Sequence, residues 1–180
     1  MEDEGQVRTL ADGTEITIQP LKPDEYEKSL QFFKDLPEED LMYLRVDVRD
    51  PEVVRKRLNT NPLENVFRLV VYAEDRIIAD ATLRWPQAGW MAHVGEIRII
   101  ISENFRGKGL ATMLYRKLFI HAVRVGLEKI EAHMTPEQLG ARKCVEKLGF
   151  REEGVLPGFV KDVKGNLRDL VIMSAHVEGF

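Results

Sequence analysis

The chain has 180 residues, 44% of them hydrophobic and 31% charged, with 26 basic against 30 acidic side chains and a single Cys. Its size suits one domain with a sizeable core, and its composition is that of a folded rather than a disordered chain. The net charge of −4 argues against a general nucleic-acid binder, one Cys excludes a disulfide framework or a Cys-rich zinc site, and no apolar run approaches the ~18 residues of a membrane span.

The opening residues, Met1-Glu2-Asp3-Glu4-Gly5, are acidic, whereas a signal peptide needs a basic start and an apolar stretch. A reduced, cytoplasmic protein is therefore expected. Residues 7–10 and 14–19 read as extended runs joined by Ala11-Asp12-Gly13, a hairpin signal because Gly takes positive φ at no steric cost. Pro23 opens a helical segment with Tyr26, Leu30 and Phe33 at helical spacing, and residues 37–44 and 51–58 read as short helices, each opened by Pro. Residues 66–73 and 76–85 are rich in β-branched and aromatic side chains around the Glu74-Asp75 turn and predict a second hairpin. Residues 94–101 predict another strand, and the run Ile99-Ile100-Ile101 suits one buried on both faces.

Beyond a loop over residues 102–108, Leu110, Leu114 and Leu118 recur one helical turn apart, Ala122 and Val125 extend the stripe, and Gly126 ends it. A short strand over 129–134 leads to Thr135-Pro136-Glu137-Gln138, which fits a capping box with Thr at N-cap and Gln at N3. Ala141, Cys144, Val145 and Leu148 form the predicted apolar face of that helix, and Gly149 stops it. Residues 150–160 and 167–177 close the chain as strands around Lys164-Gly165-Asn166. A strand–helix–strand–helix core flanked by meanders predicts a mixed α+β sheet rather than a doubly wound one.

The stretch from Ile99 to Thr112 carries the most chemistry. A buried strand runs into a Gly-rich, basic turn and then a helix start, whose unpaired N–H groups and partial positive charge attract phosphate. Gly107 and Gly109 allow close backbone approach, Ala111 keeps the first turn thin, Arg106 and Lys108 add charge, and Thr112 offers a hydroxyl. A diphosphate is the natural guest. The P-loop pattern fails because Leu110 follows Gly109, and the dinucleotide fingerprint fails because Thr112 stands at its third Gly position. On these residues alone, a plain helix cap in a basic loop remains the alternative.

Arg106-Gly107-Lys108-Gly109-Leu110-Ala111 resembles the Arg/Gln-x-x-Gly-x-Gly/Ala signature of the GNAT superfamily of acyl-CoA-dependent N-acyltransferases. The later segment from Gln138 to Phe150 is similar to the family's Asn-x-x-Ala-x-x-Leu-Tyr-x-Lys-x-Gly-Phe helix, agreeing at Ala141, Lys147, Gly149 and Phe150. The resemblance spans roughly residues 66–173, and the opening 10–21 is more loosely like the GNAT domain of bacterial protein-lysine acetyltransferases. It implies one GNAT-type domain over 1–180: a mixed, largely antiparallel central sheet flanked by helices, with an N-terminal hairpin and helices over 1–64 and an acyl-CoA-binding core over 65–180. It implies acetyl-CoA as co-substrate and no metal. The backbone from Arg106 through Gly107, Lys108, Gly109, Leu110 and Ala111 to Thr112 would hold the pyrophosphate. The strand edge at Ile99, Ile100 and Ile101 would pair with the pantetheine arm, and Gln138 stands where the family's Asn contacts that arm. The partner would be an amine acceptor, either a small molecule or a protein lysine or N-terminus, with neither nucleic acid nor membrane involved. A homodimer is common in the family, though no residue here marks an interface.

An alkylamine, with a pKa of about 10, is mostly protonated at neutral pH and needs a base. Glu96 is the candidate, its alternative being a surface Glu opposite a cation, and Arg98 shares its strand face by period two and would weaken it as a base. The family's thiolate-protonating Tyr is replaced by Val145, leaving water as a proton source. His93 reads as a turn residue, His121 as partly buried, and His133 and His176 have no partner visible along the chain. Asp80 and Glu74 are candidate contacts for a cationic substrate, and Trp85 and Trp90 either line an acceptor pocket or cap a hairpin. The expected activity is acetyl transfer to a primary amine by direct attack in a ternary complex. The alternatives are a non-catalytic acyl-CoA sensor and a different diphosphate-cofactor protein.

Overall fold

The structure, a computed structural model, describes residues 5–41, 47–58 and 65–177. Its elements in chain order are β1 (Gln6–Thr9), β2 (Glu15–Pro20), α1 (Tyr26–Lys34), α2 (Glu38–Leu41), α3 (Pro51–Leu58), β3 (Val66–Ala73), β4 (Arg76–Arg84), β5 (Val94–Ile101), α4 (Leu110–Arg124), β6 (Lys129–Met134), α5 (Leu139–Glu146), β7 (Arg151–Lys161) and β8 (Leu167–His176). The sheet has eight strands in the order β1-β2-β3-β4-β5-β6-β8-β7. Every neighbouring pair is antiparallel except β5 with β6. This is the mixed α+β arrangement that the order of elements predicts. Residues 42–44, the end of the expected second short helix, lie outside the described residues.

Strand alternation sorts the core into two layers. Leu69, Val71, Ala81, Leu83 and Ile97 pack against the Leu110, Leu114, Leu118 and Ala122 stripe of α4. On the opposite side Val70 and Tyr72 meet Leu30 and Phe33 of α1 and Val54 of α3. Val125, which the periodicity adds to the α4 stripe, is the exposed C-cap of that helix. Helix α5 starts one turn later than the capping box implies, with Gln138 as its N-cap. Residues 135–138 form a turn instead, closed from Gln138 N–H to Thr135 C=O at 3.1 Å. Only one half of the expected box forms: the Thr135 N–H donates to Gln138 Oε1 at 2.9 Å. Ala141 is exposed rather than buried, because this short helix turns Val145 to the core, with Cys144 half-buried beside it.

The pairing of β5 sets the geometry of the site. It runs along β4 as far as Ile101 but meets β6 only at residues 94–96 against 129–131. Beyond that point β6 continues along β8 to Met134. The sheet therefore forks after Glu96 and Glu131, and alternate peptide groups of residues 97–101 point into the fork without a neighbouring strand. Ile99, Ile100 and Ile101 are half-buried rather than enclosed on both faces, because this opening uncovers their edge. Among the described residues no helix is long and apolar enough to cross a membrane.

Gly95 sits where the two strands still touch. A Cβ there would come within 2.6 Å of Leu127 and 2.8 Å of Leu83, both buried side chains with little room to yield. Gly95→Ala is expected to cost about 1–3 kcal/mol through overpacking, read as a lower urea midpoint at unchanged m-value. His121 on α4 stacks on Phe67 with ring centroids 3.7 Å apart. Burial, followed by the neighbouring Arg124 charge, pushes its pKa below the ordinary 6.5. As pH falls through the ordinary value, the unfolded chain takes the proton first, so this contribution is present above it and lost below. His121→Phe should flatten the fall in thermal midpoint between pH 7 and 5.

Candidate functional site

The Gly-rich loop closes the end of the fork. After β5 a single 3-10 turn, Glu103–Phe105, leads to Arg106. Gly107 and Gly109 both take positive φ, 73° and 86°, and Gly109 is the N-cap of α4. The N–H groups of Leu110, Ala111 and Thr112 open that helix with no acceptor one turn back inside it. These donors, at the end of an uncovered strand edge, fit a diphosphate whose attached chain runs into the fork.

The two loop cations are not held out for an anion. Arg106 donates through Nε to the Ile101 carbonyl at 2.9 Å and pairs with Asp40 of α2. Lys108 pairs with Asp12 at 2.7 Å and lies over the Phe105 ring. Its hydrogen bond, with those of Thr14, holds the Asp12 carboxyl well below the usual range. Both cations thus act as struts, tying the loop to α2 and to the β1–β2 turn. Thr112 Oγ1 lies 3.9 Å from Cys144 Sγ, and the Gln138 side-chain oxygen is taken by Thr135.

Glu96 lies at the root of the fork, half-buried, directly opposite Glu131 in the parallel register. His133, two residues further along β6, stands between them. Its Nδ1 is 4.0 Å from Glu96 Oε1 and its Nε2 is 3.0 Å from Glu131 Oε1. One ligand-type atom from each of the three residues lies within 4.8 Å of the others. Such a trio can pass a proton or take a small cation. Spacing along the chain carries no trace of it, because these groups meet only across paired strands.

The same face of β4 and β5 is rich in arginine. Thr82 is registered with Arg98 and Arg84 with Glu96, and these four side chains line a cavity of about 10 Å³. Behind them Arg57 of α3 grips buried Asp80 through two 2.8 Å contacts from Nη2, and Arg68 donates to the Arg57 carbonyl at 2.8 Å. Burial, then Arg57, with Arg84 and Arg98 adding to it against Asp80, bring Arg68 down to about 10. Burial first, then Arg57, also lower Arg98, with Asp80 and Glu96 opposing and Arg84 reinforcing. Asp80 is consequently an internal counter-ion and not the expected substrate contact, while Glu74 is an exposed hairpin residue with φ 54°.

Val145 is fully buried. Tyr72 donates to Glu25 at 2.7 Å, Tyr115 is enclosed in the core against Phe150, and Tyr43 lies outside the described residues. Trp85 packs toward His121, whereas Trp90 is 92% exposed. His93 is an exposed turn residue.

The forked sheet and the Gly-rich helix cap at its open end match what the sequence resemblance implies, and the comparisons show the family. The model of the acetyltransferase (GNAT) family matches residues 29–150, and the chain belongs to this family, whose members use acetyl-CoA. Acetyltransferase Pat of Mycolicibacterium smegmatis is 24% identical over 147 residues, 80% of this chain. The chain spans only 43% of Pat's length. The uncharacterized N-acetyltransferase p20 of Bacillus licheniformis is 26% identical over 168 residues, covering 88% of this chain and 91% of its own. Among solved structures, yncA of Salmonella typhimurium, a putative acetyltransferase with its cofactor acetyl-CoA, superposes with a TM-score of 0.76 at 16% identity, over 92% of this chain and 95% of that one.

The Arg57–Asp80 pair locks α3 to the floor of the site. Arg57→Met leaves the Asp80 charge buried and uncompensated, and is expected to cost about 3–5 kcal/mol in chemical denaturation. Arg57→Met combined with Asp80→Leu should recover much of that loss.

Proposed function

We propose that this chain transfers an acetyl group from acetyl-CoA to a primary amine by direct attack in a ternary complex. The observation that carries the reading is the position of Glu96 at the root of a fork whose other end is a Gly-rich helix cap. Acetyl-CoA supplies the activated acyl group. The N–H groups of residues 106–112 hold the pyrophosphate, and the uncovered edge at Ile99, Ile100 and Ile101 aligns the pantetheine arm and polarises the carbonyl. Gln138 contributes less than an Asn would, its side-chain oxygen being occupied by Thr135. Glu96 takes the proton of the attacking amine, and His133 and Glu131 carry it onward. Water returns a proton to the departing thiolate, since a thiol pKa of about 8.5 makes a dedicated acid dispensable. The chain works as one domain in this reading, because Asp12 and Asp40 from its first third brace the cofactor loop.

The competing reading is a non-catalytic acyl-CoA sensor, favoured by the buried Val145 where the family carries its Tyr. Thiol release with a panel of amino acids, polyamines, lysine peptides and peptide N-termini separates the two. Turnover with at least one acceptor is expected. Tight acetyl-CoA binding with no turnover of any acceptor overturns the enzymatic reading. Glu96→Gln should lower kcat about 10²–10⁴-fold at unchanged acetyl-CoA affinity. An unchanged kcat removes Glu96 as the base.

A further inference from the structure

We infer that the acceptor carries a carboxylate a few bonds from its amine, and that Arg84 and Arg98 bind this carboxylate beside Glu96. The inference rests on the reading above, in which the amine is delivered to Glu96. Three observations lead to it. First, register and strand alternation put Arg84 directly across from Glu96 and Arg98 two residues further along the same face, all bordering the small cavity with Thr82. Second, the Nη1 of Arg98 is shielded from solvent and has no hydrogen-bond partner among the described residues. A buried donor in that state is costly and calls for an acceptor. Third, among the described residues, the other neighbouring oxygens are engaged elsewhere and Glu96 makes no hydrogen bond to this nitrogen. Asp80 is held by Arg57, the Thr82 hydroxyl donates to Asp80 at 3.4 Å, and Glu131 faces His133. Burial first, and then the Arg57 charge, lower Arg98, with Arg84 adding to them and Asp80 and Glu96 opposing. Two guanidinium groups thus stand beside Glu96 on this face, despite the acidic average of the chain.

The geometry narrows the class. Residues two apart on a strand are separated by about 7 Å, so an amine at Glu96 and an anion at Arg98 belong to one short molecule. The planar guanidinium fork matches a carboxylate. A primary amine and a free carboxylate only a few bonds apart occur together in a free amino acid, whose short span two long side chains such as Glu96 and Arg98 can bracket. A protein N-terminus carries a neutral amide in place of that carboxylate, and a lysine side chain carries only methylenes there. The structure therefore favours a small amino-carboxylate over a protein acceptor.

The test compares alanine, methionine and glutamate with their C-terminal amides, following thiol release from acetyl-CoA. We expect kcat/KM for the acids to exceed that for the amides about tenfold or more, the scale of one charge-assisted contact. The nearby carboxylate raises the amine pKa of the acid, so amine ionisation works against this preference and cannot produce it. Arg98→Gln should raise KM for the acids far more than for the amides, any effect on kcat through Glu96 being common to both substrates. Exposed Arg84→Gln gives the same readout with less risk to folding. Amides or lysine peptides used as well as the acids, or a variant that loses both alike, overturns the proposal. Binding of the same amino acids to the CoA complex, read by calorimetry, is independent of turnover. Binding weakened by Arg98→Gln supports the anion site even if the transferase reading fails. No binding, or equal binding by both proteins, overturns it even if other amines are acetylated.

Discussion

The parting of β5 from β6 after only three registered residues is the constraint on which the rest depends. A continuous sheet would satisfy the peptide groups of residues 97–101 internally and leave nothing to receive a ligand chain. Separation leaves them facing a wedge-shaped opening, with Glu96 at its root and the cap of α4 at its mouth. The cost is tolerable because each arm retains a full antiparallel partner, β4 on one side and β8 on the other. Gly95 keeps the closed end narrow, since any side chain there would strike Leu83 and Leu127.

Charge is used in two distinct ways around this opening. At the mouth, Arg106 and Lys108 are consumed by Asp40 and Asp12, so in the proposed function anion recognition falls to backbone N–H groups. Surface pairs of this kind contribute little energy individually, but these two fix a loop from two directions. On the β4–β5 face Arg84 and Arg98 stand beside Glu96, a local grouping that the net charge of −4 does not express.

Most elements are legible from local pattern. The Asp12-Gly13 turn, the α4 leucine stripe and the Gly-rich cap each express an energetic preference within a few residues. The fork is not, since nothing in Ile99-Ile100-Ile101 says which neighbour is missing, and three consecutive isoleucines read the same in a closed strand. Glu131 and His133 escape for the same reason: they alternate correctly for one face of β6, but their meeting with Glu96 depends on a parallel register between segments far apart in sequence. Asp80 reads as an available carboxylate until Arg57 is brought against it from a helix. The misplaced start of α5 is different in kind. Thr135 and Gln138 do interact as a capping box would have them, yet the backbone between them closes a turn before the helix begins.

The pairing of β6 also bears on how the protein is made. One arm of the fork, β5, can lie against β4 soon after both are synthesised. The other arm is held along its length by β8, whose residues 167–176 are synthesised after it. Until they arrive, β6 has only its short contact with β5 to hold it. The cleft is therefore completed only once β8 has been made, and a chain ending before β8 would hold the Gly-rich loop and Glu96 without the second wall of the fork.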